Sequence, residues 1–477
     1  MYDDTIAAIS TAIGEAGIGI VRLSGPDAVP ILERIFRPAP RTSPPPGPIP
    51  LGEGESHHSS SVTHHSFESH RVYYGHILDP FTGEVIDEVL AFCMRAPRSY
   101  TREDVVEIQC HGGPAPLQRV LLGALRAGAR LAQPGEFTLR AYLNGRIDLA
   151  QAEAVADVIR SRTEQGLSLA MRGLGGQLSQ RVRAVRQRLL RALAYLEATI
   201  DFAEDDIPEE DVMGPLSICL EEVTGLLATA DQGIIYRQGV RVAIVGRPNV
   251  GKSSLLNALL GTDRAIVTDV AGTTRDTLEE VANFSGVPVC LVDTAGIAES
   301  EDPVERLGVE RSRRAMEEAD LCLLVVDRST PLQPEDWEIA GAISGKAAVL
   351  VANKADLPAA VSAEDLAALL GKAQVVSTSI PRREGLEAVQ EAILAAALSG
   401  RATQSDELLV SNPRHKAILM RVESRLRDAI ASVAADLPAD CTAWDVRSAV
   451  DALGEITGES ASEELLDTIF SRFCIGK

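Results

Sequence analysis

Basic residues are in short supply. Against 68 Asp and Glu stand 46 Lys and Arg, a formal net charge of −22. A surface this acidic does not take up polyanions indiscriminately, so any nucleic-acid contact must be a local basic patch. Aromatics reach only 4% while Ala, Leu, Val and Ile are plentiful, which argues against a β-sandwich and for helices and parallel strands. No apolar run reaches the roughly 20 residues needed to cross a bilayer. The opening Met1-Tyr2-Asp3-Asp4 lacks the basic and apolar regions of a secretion signal. The expectation is a cytoplasmic protein without a membrane segment. The seven cysteines (Cys93, Cys110, Cys219, Cys290, Cys322, Cys441 and Cys474) are an odd count without a CxxC pair. They fit reduced thiols, not a disulfide or zinc framework.

What is present suffices for two to four domains: 477 residues, 45% hydrophobic and 24% charged. The expected fold is multidomain: an α+β N-terminal domain, a discontinuous all-α helical domain, and an inserted α/β domain that GxxxxGKS at Gly246–Ser253, DTAG at Asp293–Gly296 and NKxD at Asn353–Asp356 mark as a P-loop GTPase domain. Residues 1–148 read as α+β, with Gly19–Leu23 and Val105–Ile108 as short strands. Within them, about 43–70 is Pro/Ser/His-rich and reads as a flexible insertion; six of the eight histidines fall between His57 and His76, too irregularly spaced for a metal site. Residues 149–235 and 400–477 carry helical periodicity. Leu178, Val182, Val185, Leu189, Leu193 and Leu196 form one apolar stripe, and Ile418, Val422, Leu426, Ile430 and Val433 a second. Arg181, Arg183, Arg186, Arg188 and Arg191 share the first of these helices. A solvated helix face explains them more simply than RNA phosphates do. Between the helical runs, residues 236–399 alternate strand, loop and helix.

That middle segment carries the chemistry. The apolar strand Val240–Val245 leads into Gly246-Arg-Pro-Asn-Val-Gly-Lys-Ser253 and then a helical run. This is GxxxxGKS in its strand–loop–helix context. Backbone N–H groups of Asn249, Val250, Gly251 and Ser254 can wrap phosphates at a helix N-terminus. Lys252 would reach the β- and γ-phosphates and act in catalysis, and Ser253 would hold Mg²⁺. A second strand ends in Asp293-Thr294-Ala295-Gly296, delivering Asp293 to the magnesium side and the Gly296 N–H to the γ-phosphate. A third ends in Asn353-Lys354-Ala355-Asp356, the NKxD pattern. The Asp356 carboxylate can accept from both N1–H and the 2-amino group of guanine, which adenine lacks, so the substrate is GTP and not ATP. Ser379 and Ile380 are expected against the guanine O6, with Ser377-Thr378 competing for that register. The stretch Thr268-Asp269-Val270-Ala271-Gly272-Thr273-Thr274 reads as a switch loop, with Thr274 completing the magnesium shell. Many GTPases follow such a DTAG with a water-orienting Gln, but Ile297 stands there. Glu299, Glu301, Asp302 and Glu305 remain as candidates to orient the water.

The whole chain resembles the MnmE (TrmE) family of tRNA wobble-uridine-modifying GTPases. The resemblance runs from Asp4-Thr-Ile-Ala-Ala8 through Gly19–Gly25, Ser99–Gly113, Pro134-Gly-Glu-Phe-Thr138 and Asn144–Ala154 to Phe473-Cys-Ile-Gly-Lys477. It implies an N-terminal folate-binding and dimerising domain, and work with a FAD-dependent tRNA-modifying partner of the MnmG/GidA type in a heterotetramer. The pair would install a carboxymethylaminomethyl or aminomethyl-type group at C5 of the wobble uridine (position 34). A tetrahydrofolate derivative, 5-formyl- or methylene-type, would supply one carbon. By position the folate pocket would use Arg22, Glu107, Arg146 and Lys477; Arg146 stands where the family usually has Lys, and Ala298 where it commonly has Arg. The resemblance also implies a cation-activated G domain, with K⁺ held by Asn249, Thr268, Val270 and Thr273, and Glu305 positioning the water. It places Cys474 near the folate pocket, as either a candidate reactive thiol or a packed small residue. The alternative is a GTPase ribosome-assembly factor. That reading predicts an RNA-binding module such as a KH fold or a basic tail, and neither the first 148 residues nor the acidic C-terminal region offers one.

Overall fold

The computed structural model describes residues 3–39, 67–202, 208–262, 280–293, 313–371, 373–398 and 409–477. They form two compact units. One gathers the described residues up to Ala152 with Ala461–Lys477, and the other spans Glu153–Ser460.

The first unit is α+β. Its strands are β1 (Ile6–Ile9), β2 (Gly19–Ser24), β3 (Phe36–Pro38), β4 (Val72–Leu78), β5 (Val85–Met94), β6 (Val105–Cys110) and β7 (Arg130–Leu131). They form one sheet in the order β3-β4-β5-β6-β2-β1-β7. Period-two alternation sends Val21 and Leu23 of β2, and Val106 and Ile108 of β6, into a core shared with the helices Ala28–Ile35 and Pro114–Arg126. The same alternation turns Arg22 and Glu107 to the opposite face, directly across the β2–β6 register. Residues 461–477 belong here, not with the helical segment where the sequence pattern put them. Phe470 and Phe473 are buried, and a Cβ on Gly135 would lie 2.6 Å from the Phe470 carbonyl oxygen. Ile475 pairs with Pro134. A contact of this kind leaves no local periodicity to read.

The second unit holds long helices, Gln177–Asp201, Met213–Ala228, Pro413–Ala434 and Ala439–Thr457, and a six-stranded sheet. All six residues of the first apolar stripe are buried. In the second, Ile418, Val422 and Leu426 are buried, but Ile430 and Val433 are half-exposed and Ala429 and Ser432 take their places. Three successive steps of four residues overrun the turn by about 40° each, which swings position 430 out of the seam. Arg183 and Arg186 pair with Glu459, and Arg188 with Glu222. Three of the five arginines are thus paired with carboxylates of the same unit.

The sheet comprises β8 (Val240–Val245), β9 (Glu280–Phe284), β10 (Val287–Asp293), β11 (Leu321–Asp327), β12 (Ala347–Asn353) and β13 (Gln374–Ser377), in the order β13-β12-β11-β8-β10-β9. All neighbours are parallel except β9 and β10. Apolar side chains cover both faces, so the central strands read as continuous hydrophobic runs. The expected boundary at 235/236 falls inside the helix Ala230–Gln238. The break comes at Gly239, whose φ of 81° ends the helix and whose missing Cβ would lie 2.4 Å from the Pro288 carbonyl oxygen. Among the described residues no helix is long and apolar enough to cross a membrane.

Candidate active site

Adjacent β8, β10, β11 and β12 end on one edge of the parallel sheet, where α/β folds place their ligands. After β8 the chain turns through Gly246–Gly251 into the helix Lys252–Thr262. Two glycines make that turn. Gly246 has φ of 149° and a Cβ would sit 2.3 Å from the Val325 carbonyl oxygen; Gly251 has φ of 101° and a Cβ would meet Asn353 Nδ2 at 2.3 Å. Asn249, exposed at the loop tip, also has a positive φ of 61°, which Asn tolerates better than most residues. Val250 is buried and anchors the loop.

Lys252 is buried, and its Nζ donates to the Gly246 and Arg247 carbonyls at 2.8 and 2.9 Å. Burial pulls its pKa below the usual lysine value, opposed by Asp293. Ser253 Oγ donates to Asp293 Oδ2 at 2.8 Å. The other oxygen, Asp293 Oδ1, is buried without a hydrogen-bond partner among the described residues. A hydroxyl and a carboxylate with a spare buried oxygen are hard oxygen donors, so the residues present fit Mg²⁺. Ser254 is exposed on the first helical turn.

The base-recognition side is held to the phosphate loop by one amide. Asn353 Nδ2 donates to the Val250 carbonyl at 2.9 Å, while its Oδ1 accepts from Thr378 Oγ1 at 3.1 Å. Asp356 is half-exposed, and Ser379 Oγ donates to its Oδ1 at 2.8 Å. That hydrogen bond, first among several causes, holds the Asp356 carboxyl below the usual carboxylate range. Of the two competing registers, Ser377 points out, Thr378 engages Asn353 and Ser379 engages Asp356; Ile380 packs on the sheet core. Lys354, at φ of 63°, donates from Nζ to Asp327 Oδ2 at 2.6 Å. Burial pushes the Asp327 carboxyl up, but Lys354 and Ser329 outweigh it and leave the pKa lowered.

Two contributors lay outside the motif reading. Arg247 of the phosphate loop donates from Nε to the fully buried Asp336 at 2.8 Å. Asp327 closes β11 beneath Lys354. Neither lies in a recognisable pattern; Asp336 sits 89 positions from its partner. Thr268, Asp269, Val270, Ala271, Gly272, Thr273, Thr274, Thr294, Ala295, Gly296 and Glu305 lie outside the described residues.

A second cluster occupies the first unit. Arg22 Nε and Nη2 meet Glu107 Oε1 at 2.9 and 2.8 Å. Lys477 lies close enough to feel both: burial chiefly, and then Arg22, lower its pKa, while Glu107 raises it. The tail is held by Ser10 Oγ, which donates to the Gly476 carbonyl at 3.1 Å, and a Cβ on Gly476 would lie 2.2 Å from the Ile9 carbonyl oxygen. Arg146 stacks over Tyr100, its Cζ 4.7 Å from the ring centroid. Cys474 is exposed beside Lys477. Paired cations with one carboxylate fit a ligand that carries both carboxylates and amide-type donors.

The family model described as the MnmE helical domain matches residues 149–474, and that described as the GTP-binding protein TrmE N-terminus matches residues 5–146. Over 476 residues, all of both chains, the sequence is 52% identical to the tRNA modification GTPase MnmE of Chloroflexus aurantiacus. It is 44% identical over 481 residues, again all of both chains, to the protein of the same name from Desulforamulus reducens. With the Bacillus velezensis protein of that name it shares 47% over 478 residues, 99% of this chain and 100% of the other. The chain belongs to the MnmE family. MnmE membership makes it a tRNA modification GTPase.

Proposed function

We propose that this MnmE protein hydrolyses GTP in the service of tRNA modification. Together with an FAD-dependent partner of the MnmG/GidA type, it adds a carboxymethylaminomethyl or aminomethyl-type group to C5 of uridine 34 in certain tRNAs. A homodimer joins the partner in a heterotetramer in the cytoplasm, and a 5-formyl- or methylene-type tetrahydrofolate supplies one carbon. The observation carrying this reading is the coexistence, in a chain matched end to end by MnmE relatives, of the Lys252–Ser253–Asp293–Asp356 arrangement and the Arg22–Glu107–Lys477 cluster.

In hydrolysis, water attacks the γ-phosphorus as the bond to the β–γ bridging oxygen breaks, giving GDP and inorganic phosphate. Lys252 offsets charge growing on that bridge, and the phosphate-loop N–H groups receive the phosphate oxygens. Ser253 and Thr274 would hold Mg²⁺, with Asp293 behind Ser253, and the ion when bound would neutralise negative charge on the phosphates. Asn249, with the Thr268, Val270 and Thr273 carbonyls, would hold K⁺, which would supply the positive charge that an arginine finger supplies elsewhere. Glu305 positions the water. Asp356 and Ser379 select guanine. In the first unit, Arg22, Arg146 and Lys477 bind the carboxylates of the folate and Glu107 accepts from its pterin.

The test is mass spectrometry of wobble nucleosides in tRNA from cells lacking the protein, complemented with wild type, Glu305→Ala or Lys477→Ala. Unmodified uridine 34 is expected in the deletion and in both variants. Full modification in the deletion strain sinks the reading.

A further inference from the structure

Arg22 and Arg146 converge on one ring: their Cζ atoms lie 5.6 and 4.7 Å from the centroid of Tyr100. Beside Arg146, Tyr100 also walls a cavity of about 500 Å³, whose lining includes Arg98, Ser99 and Arg102 and no acidic residue. A second cavity of about 580 Å³ adjoins it, sharing Pro97 and Arg98 and adding His70 and Arg95. Three guanidiniums on one wall without a carboxylate repel each other, and they do so on a chain of net charge −22. The nearby acids are turned to other partners. Asp104 accepts from Arg95 at 2.6 Å and from the Ala96 N–H at 2.9 Å; Glu103 accepts from Ser24 at 2.7 Å and pairs with Arg140. Arg102, at φ of 61°, donates from Nη1 to the Asn144 carbonyl at 2.9 Å, which fixes it to the turn carrying Arg146. The Arg98 guanidinium has no hydrogen-bond or ion-pair partner among the described residues.

We propose that this cleft binds an oligocarboxylate tail, the γ-linked glutamates of a polyglutamylated folate. The inference rests on the folate reading above and extends it outward from Tyr100. Arg146 takes the first glutamate beside the ring, and Arg102 and Arg98 take those that follow. A guanidinium fork matches a carboxylate in two parallel hydrogen bonds, so spaced arginines suit spaced carboxylates. RNA phosphates are the lesser fit, because the charge begins at the ring shared with Arg22, within the cluster read above as the folate pocket.

The experiment measures binding of tetrahydrofolate with one and with five glutamates to the full-length protein by equilibrium dialysis. Wild type is expected to bind the pentaglutamate roughly three- to tenfold more tightly, a gain that shrinks at high salt. Arg98→Gln with Arg102→Gln removes that gain and leaves GTP hydrolysis unchanged, while monoglutamate affinity is read from Arg98→Gln, where it stays at the wild-type value. Arg98→Gln alone, which breaks no bond within the protein, removes part of it and guards against a folding defect. Equal affinity of wild type for the two ligands overturns the subsite while leaving the folate pocket standing. Absence of binding by either ligand overturns both. Loss of tRNA affinity in the double variant with the glutamate-dependent gain retained assigns the cleft to RNA phosphates and overturns the proposal.

Discussion

Ser379 and Asp356 come from different loops, yet the serine hydroxyl donates to Asp356 Oδ1 at 2.8 Å. The hydrogen bond sets the rotamer of Asp356, so the serine acts on selectivity through the aspartate. Asp356→Asn is expected to weaken GTP binding by roughly a hundredfold or more and to favour xanthosine triphosphate, whose pattern complements the amide. Ser379→Ala should weaken GTP binding less and leave the guanine preference in place. Competition between GTP and xanthosine triphosphate for each variant checks this, and unchanged selectivity in Asp356→Asn removes the base assignment.

Potassium should accelerate hydrolysis well beyond sodium at equal ionic strength. Asn249 stands exposed in the phosphate loop with φ of 61°. Asn249→Ala should narrow the difference between the salts. Equal turnover of wild type in both would remove the cation requirement and reopen the search for a protein arginine.

The buried Asp336 carboxylate ties Arg247 to the helix Pro334–Ala342, and its second oxygen accepts from the Gln333 N–H at 2.9 Å. Asp336→Ala strands the guanidinium and uncaps that helix, so a loss of about 2–4 kcal/mol in urea unfolding is expected. An unshifted midpoint would show the pair to be energetically idle.

Glu153 accepts from Asn412 at 2.8 Å, from Arg414 Nε at 3.0 Å and Nη2 at 2.5 Å, and meets His415 Nε2 at 2.7 Å. Burial pushes its carboxyl up, but His415 and Arg414 outweigh that and hold it far below the usual carboxylate range. Because the folded-state pKa is the lower one, the stabilisation is full above the unfolded value of about 4.5. It drains away as pH falls below that toward the folded value. Glu153→Gln should therefore cost about 3–5 kcal/mol at pH 7. The gap to wild type should begin to narrow below about pH 4.5 and keep narrowing as pH falls further, as read from urea midpoints. A pH-independent difference would mean the carboxylate's charge is irrelevant.

The phosphate loop, the carboxylate closing β10 and the base-recognising Asn353–Asp356 were legible because phosphate, metal and guanine each require contiguous residues on a strand end. The first apolar stripe was legible because it keeps a steady mixture of three- and four-residue steps. The second faltered at Ile430, where repeated four-residue steps drift off the seam. Asp336 and Asp327 act through neighbours far away in sequence, and no spacing encodes such a contact. The boundary at Gly239 was misread because the helical pattern runs three residues past the position assigned to its end. The return of residues 461–477 to the first unit depends on Gly135 and Gly476 having no side chain, which periodicity does not register.

Ser10 and Gly476 bond across 466 positions of chain. During synthesis at about 5–20 residues per second, Ser10 emerges roughly half a minute to a minute and a half before its partner. The nascent sheet must wait through that interval with the Gly135 notch uncovered and Arg22 paired to Glu107 without Lys477. The one-carbon pocket proposed here therefore matures last, after the nucleotide site has had time to fold.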